Sequence, residues 1–323
     1  MDSAHQRLCI GGTTIEPGER VKINLPVGRL YTHDQLSMPV EVLRGKKPGP
    51  RLFVSAALHG DEINGIEIVR RILAKLQPDK IDGTLIAVPI INVFGFVYQS
   101  RYLPDRRDLN RSFPGSARGS LAGRLAHLFM TEVVGKCTHA IDLHTAAPPR
   151  VNLPQIRCNL DNPQALTMAE AFAPPVIMHG TAPRGSLRSE VNRRGIPILL
   201  YEAGEPHRFN EDAIVAGVDG VLRVMSHLGM IKRAPQRRRG EAALSHQATW
   251  VRTRQSGILR LRVGLGEKVR TGQILGEVSD PFGDETVQIK APMGGLVVGQ
   301  AIDPLVHRGD AVVHLAVLEP SSA

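Results

Sequence analysis

Residues 52–62 read Leu-Phe-Val-Ser-Ala-Ala-Leu-His-Gly-Asp-Glu, an apolar run that ends in a histidine and two carboxylates. A run of this kind without alternation is typical of a strand that is covered on both faces. Residues 65–76 then repeat their apolar side chains at helical spacing, which predicts a helix directly after the loop. In open α/β sheets, functional side chains gather at such strand ends.

Three side chains at two predicted strand ends form a candidate metal site. His59 and Glu62 lie three positions apart after the first strand, and His144 ends the segment Ala140-Ile141-Asp142-Leu143. Two imidazole nitrogens and one carboxylate are a ligand set of catalytic zinc, of which we expect one ion per chain. A lone His-x-x-Glu is also common in loops that precede a helix, so the prediction depends on His144.

Further carboxylates accompany these ligands. Glu202 and Glu205 follow the apolar run Ile198-Leu199-Leu200-Tyr201 without an evident cationic partner beside them, and one of them could be the general base for a metal-activated water. Asp142 lies two residues before His144, and therefore on the same face of the strand. It could orient the imidazole of His144 or cap the sheet, and the sequence favours neither role.

Composition limits the class of protein. A chain of 323 residues favours one large and one small domain, and 42% hydrophobic residues are sufficient for an aliphatic core. The N-terminus has no apolar segment, and no run approaches the ~20 residues needed to span a bilayer. We therefore expect a cytoplasmic protein without a membrane partner. Three widely spaced cysteines predict neither disulfides nor a cysteine zinc site.

The formal charge of +9 raises the question of a nucleic-acid partner. We expect none, because the basic residues are dispersed and aromatic residues that would stack on bases make up only 4%. The densest cluster, Arg237-Arg238-Arg239, lies in a predicted linker and is interpreted as a solvated hinge. A cationic bias can instead attract an anionic substrate.

The order of predicted elements indicates an α/β domain over residues 1–240. Residues 1–50 form a β-rich lead-in, and an apolar strand over 83–92 is followed by an arginine-rich loop over 101–115. A helix is predicted over 117–134, then the His144 strand, then an irregular, proline-rich region up to about Pro175. Alternating strands and helices predict a parallel or mixed sheet flanked by helices.

A second, all-β domain is predicted over residues 241–323. From about Ser245 the chain consists of short β-like segments separated by glycines, without helical periodicity. The segments 268–275 and 305–312 resemble each other. Two similar halves of this kind predict a pseudo-twofold β-sandwich.

Four motifs together resemble the succinylglutamate desuccinylase and aspartoacylase family of zinc deacylases, whose fold is similar to that of zinc carboxypeptidases: His59-Gly60-Asp61-Glu62, Asp108-Leu109-Asn110-Arg111-Ser112-Phe113-Pro114-Gly115, Asp142-Leu143-His144 and Tyr201-Glu202-Ala203-Gly204. They occur in order between about residues 50 and 230. The resemblance implies zinc ligands at His59, Glu62 and His144, a general base at Glu202, carboxylate-binding side chains at Asn110 and Arg111, and a carbonyl-polarising guanidinium at Arg101.

Two arginines are open to further interpretation. Arg188, in Gly185-Ser186-Leu187-Arg188-Ser189, is a candidate for a second carboxylate clamp of the kind that this family uses. Arg111 offers the planar donors that a carboxylate accepts. Alternatively, Arg111 pairs with Asp108 or with another carboxylate and only holds the loop.

The C-terminal region resembles the barrel-sandwich hybrid of biotinyl and lipoyl carriers through Gly266–Gly272 and Lys290–Gly295. Such carriers present a modified lysine before the Ala-Pro pair, whereas the corresponding hairpin here reads Pro281-Phe282-Gly283-Asp284-Glu285. It contains no lysine to modify. We therefore expect a lid, a wall of the substrate entrance or an oligomer contact.

These features predict a zinc amidohydrolase that removes an acetyl- or succinyl-type N-acyl group from an amino acid or related small amine, with a carboxylated substrate. The alternatives are a zinc carboxypeptidase acting on small peptides and a metal-dependent binding protein. A small closed pocket would favour the deacylase, and a base beside an open metal position argues against a binding protein. A homo-oligomer is compatible with the sequence.

Overall fold

The structure is a computed structural model that describes residues 7–236 and 242–318. The cluster Arg237-Arg238-Arg239 and the predicted domain boundary at residue 240 lie outside the described residues. None of the described helices is long and apolar enough to cross a membrane.

The helices are α1 (Asn64–Lys75), α2 (Val93–Val97), α3 (Leu121–Glu132), α4 (Pro163–Phe172), α5 (Leu187–Arg193) and α6 (Glu211–His227). Short 3-10 turns occupy Pro78–Lys80, Leu109–Arg111 and Val134–Lys136. The strands up to residue 236 are β1 (Leu8–Ile10), β2 (Thr13–Ile15), β3 (Arg20–Arg29), β4 (Gln35–Arg44), β5 (Arg51–Ala56), β6 (Thr84–Val88), β7 (His139–His144), β8 (Arg150–Cys158), β9 (Val176–His179) and β10 (Ile198–Gly204).

The C-terminal strands are β11 (Ala243–Ser245), β12 (Gln247–Arg252), β13 (Gly257–Leu261), β14 (Lys268–Val269), β15 (Ile274–Ser279), β16 (Thr286–Lys290), β17 (Gly295–Ala301), β18 (Leu305–Val306) and β19 (Ala311–Val317).

One large mixed sheet contains strands from both parts of the chain. Its order is β12-β19-β17-β8-β10-β7-β5-β6-β4-β3, with β9 beside β8 and β11 beside β9. The central strands β6, β5, β7 and β10 are parallel to one another, so their carboxyl ends meet at one edge. The predicted α/β architecture with a mixed sheet is confirmed.

Both faces of the central sheet are buried, as the apolar run at residues 52–58 predicted. Val54 of β5 belongs to the core cluster beneath α1, α4 and α6. Phe53 points to the opposite cluster, which contains α3 and the N-terminal strands. Its ring meets that of Phe129 edge-on, with 5.7 Å between centroids. Burial on both sides explains why the strand shows no polar alternation.

The C-terminal region consists of two antiparallel layers around a separate core. Strands β14, β17, β19 and β12 belong to the large sheet, and β16, β15, β13 and β18 form a second sheet. The repeated segments correspond to β14 with β15 and to β18 with β19. The short strand of each copy lies in the same sheet as the long strand of the other copy. The strands β14 and β19 are in the large sheet, and β18 and β15 are in the second sheet. The predicted pseudo-twofold arrangement is confirmed.

The prediction of an irregular region up to Pro175 was wrong, because this segment contains β8 and α4. Strand β8 has an interior proline and polar residues, yet it lies between β10 and β17 and gains hydrogen-bonding partners from both. Helix α4 begins with Pro163 after Asn162, whose side chain accepts hydrogen bonds from the amides of Gln164 and Ala165. This start signal was present in the sequence.

Candidate active site

The first pair of candidate ligands lies in the loop after β5. The chain leaves the strand through Ala57, whose φ of 45° is in the left-handed region that few non-glycine residues adopt. Gly60 then packs directly on the backbone of α2, where a Cβ atom would lie 1.9 Å from the carbonyl carbon of Gly95. This close contact returns the chain toward the sheet and turns His59 and Glu62 inward.

His59, Glu62 and His144 converge on one point. The Nδ1 atom of His59 lies 2.7 Å from Oε1 of Glu62, and the Nδ1 atom of His144 lies 2.7 Å from Oε2. One ligand atom from each side chain lies within 4.8 Å of the others, and all three residues are buried. The residues that the sequence assigned to a metal are therefore together and could hold one ion.

A carboxylate holds the far nitrogen of each imidazole. The Nε2 atom of His144 lies 2.8 Å from Oδ2 of Asp142, whose other oxygen accepts a hydrogen bond from Ser55. The Nε2 atom of His59 lies 3.2 Å from Oδ1 of Asp108. These contacts fix the orientation of both rings and direct both Nδ1 atoms toward Glu62. Of the two roles open to Asp142, this geometry supports the orienting one.

The electrostatics of this cluster favour positive charge. Burial opposes a charged His144, but the carboxylates of Asp142 and Glu62 outweigh it and raise the pKa of His144 well above its ordinary value. Burial likewise opposes a charged Glu62, yet the two imidazoles hold the pKa of Glu62 well below its usual range. A field that stabilises a proton between these groups also stabilises a metal cation.

Arg101 lies against the same cluster. Its Nη1 atom is 3.3 Å from Oε1 of Glu62, and its Nη2 atom donates to Oδ2 of Asp108 over 3.1 Å. Burial works against the charged guanidinium, but both carboxylates outweigh it and raise the pKa of Arg101. The sequence predicted the proximity of Arg101 to the ligands, but not the ion pair with Asp108.

Glu202 stands at the carboxyl end of β10, in register with His144 on the parallel strand β7. Its Oε2 atom accepts a hydrogen bond of 2.9 Å from Nδ2 of Asn152. Both Glu202 and the candidate ligands line one cavity of about 260 Å³. A half-buried carboxylate thus lines the same cavity as the three candidate metal ligands.

The rest of the cavity lining is rich in arginine and contains the three predicted substrate-binding residues. The Oδ1 atom of Asn110 accepts a hydrogen bond from the amide of Leu187, which ties the loop to the start of α5. Arg111 is exposed and donates to the carbonyl oxygen of Asn110. Asp108 instead contacts Arg101 and His59, so the alternative pairing of Arg111 with Asp108 is absent among the described residues.

Arg188 is a buried cation that forms no ion pair with a carboxylate in the described part of the chain. It is 7% exposed, and its Nη1 atom has no hydrogen-bonding partner among the described residues. Its Nη2 atom reaches the carbonyl oxygen of Thr181 at 3.5 Å. Burial, together with the neighbouring charge of Arg157, lowers the pKa of Arg188.

Sequence reasoning missed the third wall of the cavity, which contains Arg150, Asn152, Arg157 and Trp250. The first three lie on β8, which was predicted to be irregular. Trp250 lies on β12, and the guanidinium of Arg150 stands 4.8 Å from the centroid of its ring. One signal was available, since Trp250 is the only tryptophan of the chain.

Comparison with known protein families agrees with the motifs and their geometry. The family model of the succinylglutamate desuccinylase/aspartoacylase catalytic domain matches residues 48–228. The chain belongs to this family. It is therefore a hydrolase of carbon–nitrogen bonds other than peptide bonds, a deacylase of N-acyl amino acids.

Similar proteins extend over both parts of the chain. An N-alpha-acetyl-L-2,4-diaminobutyric acid deacetylase from Halomonas elongata is 25% identical over 292 residues, covering 86% of this chain and 85% of that protein. A crystal structure of a succinylglutamate desuccinylase/aspartoacylase from Rhodobacter sphaeroides has 27% identity and a TM-score of 0.84, covering 94% and 96% of the two chains.

A product-bound structure of the ectoine utilization protein EutE (DoeB) from Ruegeria pomeroyi has a TM-score of 0.85 and 23% identity, covering 97% of this chain and 100% of that one. At this identity the likeness supports the fold alone. The C-terminal β-region is thus shared with solved structures of the same architecture.

Proposed function

We propose that the protein is a zinc-dependent deacylase that removes an acetyl- or succinyl-type group from the amine of a small, carboxylated amino acid. One observation carries the proposal. The three candidate ligands His59, Glu62 and His144 line the same small cavity as the carboxylate of Glu202, at the ends of adjoining strands.

The donor set fits zinc. Two imidazole nitrogens with one carboxylate are a ligand set of catalytic zinc sites, and one ion per chain would be held by His59, Glu62 and His144. Carboxylates at both Nε2 atoms are the outer contacts expected around such ligands. Bound zinc would polarise an acyl oxygen and lower the pKa of a water molecule.

The protein's own groups would perform the proton transfers. We assign Glu202 as the general base that takes a proton from the attacking water and passes it to the leaving amine. Its position at the end of β10, opposite His144, supports this role. Arg101 would donate to the acyl oxygen as negative charge develops there. Its guanidinium already lies beside Glu62, at the rim of the ligand cluster.

The substrate carboxylate would bind on the arginine-rich side. Arg111 and Arg188 line the cavity, and among the described residues neither has a carboxylate within 4.0 Å. A buried guanidinium with a free donor is costly unless an anion completes it. Asn110, held by the amide of Leu187, would contribute its amide group to the same carboxylate.

The size of the cavity favours small substrates over peptides. At about 260 Å³ it is smaller than the ~300 Å³ at which pockets for drug-sized ligands begin. The Halomonas elongata relative is named for removal of an acetyl group from a diamino acid, which supports an N-acyl amino acid here. Free Cys9, Cys137 and Cys158 fit a reducing compartment and support a cytoplasmic location.

The proposal is tested by assaying amine release from a panel of N-acetyl and N-succinyl amino acids, with Glu202→Gln beside the wild type. The variant keeps the shape of the side chain and removes its proton acceptance. It should keep its zinc and lose on the order of a hundredfold or more in turnover. Loss of zinc along with activity would make Glu202 a ligand, and full turnover would remove it from the chemistry.

A further inference from the structure

A row of in-register residues connects the C-terminal strands to the catalytic cavity. Asn152 of β8 lies opposite Gly299 of β17, and Gly299 lies opposite His314 of β19. His314 in turn pairs with Trp250 of β12, and their rings stack with 4.5 Å between centroids and 5° between planes. The row therefore runs across four strands, from Trp250 to Asn152.

Asn152 touches the carboxylate assigned as the base. It is 5% exposed, and its Nδ2 atom donates to Oε2 of Glu202 over 2.9 Å. Because the two oxygens of a carboxylate are rigidly linked, holding Oε2 also fixes the direction of Oε1. A group that abstracts a proton must lie within hydrogen-bonding reach in the correct orientation. Asn152 is thus able to set the orientation of Glu202.

Gly299 leaves the space that Asn152 occupies. A Cβ atom at this position would lie 2.7 Å from Oδ1 of Asn152 and 3.6 Å from Cη2 of Trp250. Gly299 does not have a positive φ, so alanine suits its backbone and an added methyl group would act through packing alone. That methyl group would displace the Asn152 amide, because 2.7 Å is too short for a carbon–oxygen contact, whereas the nearest atoms of His314 and Trp250 lie at ordinary contact distances of 3.4 and 3.6 Å.

We propose that Asn152 is the positioning residue of Glu202, and that Gly299 keeps the Asn152 amide in place. The C-terminal sheet then takes part in catalysis by controlling the orientation of the base. This inference rests on the proposed role of Glu202. A purely structural Asn152 would instead satisfy buried polar groups, with an effect on stability but none specific to turnover.

The test is a double-mutant cycle on the zinc-loaded full chain, with kcat, KM, zinc content and melting temperature measured for each variant. Asn152→Ala should lower kcat by about tenfold to a hundredfold, the range for outer contacts of a catalytic group. KM should stay within about twofold, because the substrate contacts remain. Asn152→Asp keeps the shape, loses the donor and places a second negative charge beside Glu202, so it should show at least the same loss.

Gly299→Ala should lower kcat in the same way, and should cause no further loss in the Asn152→Ala background. Gly264→Ala is the matched control, since a Cβ atom there meets nothing within 4 Å in the same region. Full kcat in both Asn152 variants, a loss confined to KM or melting temperature, or additive losses in the double variant would each overturn the proposal.

Measuring Glu202→Gln in parallel distinguishes failure of the base assignment of Glu202 from failure of the positioning role of Asn152. If Glu202→Gln loses turnover and Asn152→Ala does not, the base assignment stands and the positioning role is wrong. If Glu202→Gln retains turnover, the proposed base is wrong, and the positioning role is overturned with it.

Discussion

The two sides of the cavity differ in how their polar groups are satisfied. On the ligand side, His59, Glu62 and His144 contact one another, and Asp108 and Asp142 hold the outer nitrogens. On the arginine-rich side, the guanidinium groups have no carboxylate within 4.0 Å among the described residues, and buried polar atoms without partners occur there on Arg150 and Arg188.

This difference indicates the charge of the group that each side of the cavity is suited to bind. A buried, carboxylate-lined cluster that raises the pKa of His59 and His144 is suited to a cation. Unpaired buried guanidinium groups are suited to an anion. Under the proposed function, the cavity would therefore bring a metal ion and the carboxylate of a substrate together.

The largest effect is expected from breaking the ligand side. His144→Ala leaves a metal ion only two protein bonds, so zinc content and deacylase turnover should both fall to background. His139→Ala, at the other end of the same strand and outside the cavity, is the matched control. Elemental analysis of both purified proteins checks this prediction, and full zinc occupancy in His144→Ala would refute the ligand assignment.

Breaking the arginine side should separate activity from stability. Arg188→Met removes a buried charge that has no carboxylate within 4.0 Å among the described residues, so the melting temperature should equal or exceed that of the wild type. The same change should lower kcat/KM for carboxylated substrates by about tenfold to a hundredfold, the value of charged hydrogen bonds. Zinc content should not change.

Arg193→Met, on the exposed side of the same helix, provides the comparison for Arg188→Met. A lowered melting temperature with unchanged kcat/KM would show that Arg188 stabilises the fold and does not bind substrate.

Arg111 should show a smaller effect, because its side chain is exposed. Arg111→Lys keeps the charge but loses the planar pair of donors, and should lower kcat/KM for acidic substrates by about tenfold. An amidated substrate should be poor for the wild type and lose little more in the variant. Arg107→Lys, in the same loop but outside the cavity, is the control. Equal losses for charged and amidated substrates would favour a structural role.

The smallest effect on turnover is expected at His314, whose ring stacks on Trp250 of the third wall and whose titration affects the stability of the fold. Burial and the charges of Arg157 and Arg150 lower the pKa of His314 to about 3, whereas an unfolded histidine titrates near about 6.5. The unfolded chain therefore binds the extra proton between these values. The contribution of neutral His314 to the free energy of unfolding is therefore complete above a pH of about 6.5, and it decreases as the pH falls from there toward about 3.

His314→Phe keeps an aromatic ring beside Trp250 and removes the titration. Its melting temperature should depend less on pH below about 6.5 than that of the wild type. His307→Gln, an exposed change in the same region, should retain the wild-type pH dependence. Parallel pH profiles for His314→Phe and the wild type would contradict the prediction.

The local sequence was sufficient to predict the residues on the ligand side of the cavity. The apolar strands ending in His59 and His144 fix where these residues meet, because parallel strands present their carboxyl ends at one edge. Asp142 could be placed on the face of His144 from its spacing alone. The contact of Asp108 with His59 could not be derived, because the sequence does not specify how the long arginine-rich loop folds back.

The third wall could not be predicted for a different reason. Asn152 gains its role only through pairing with strands that lie far along the chain, β10 and β17. Its own segment contains a proline and several polar residues, and these local signals oppose a strand. Long-range pairing outweighed local propensity in this segment. For the same reason, the positions of Arg150 and Arg157 and the contact of Arg150 with Trp250 could not be predicted.

The most direct test of the account is zinc titration of the metal-stripped full chain, with release of amine from an N-acyl amino acid followed at each addition. Turnover should be absent without metal, rise in proportion to added zinc, and level off at one zinc per chain. The His144→Ala protein should show no such rise. Full turnover of the metal-free protein, or saturation only at two or more zinc ions per chain, would contradict the assignment of a single catalytic zinc to His59, Glu62 and His144.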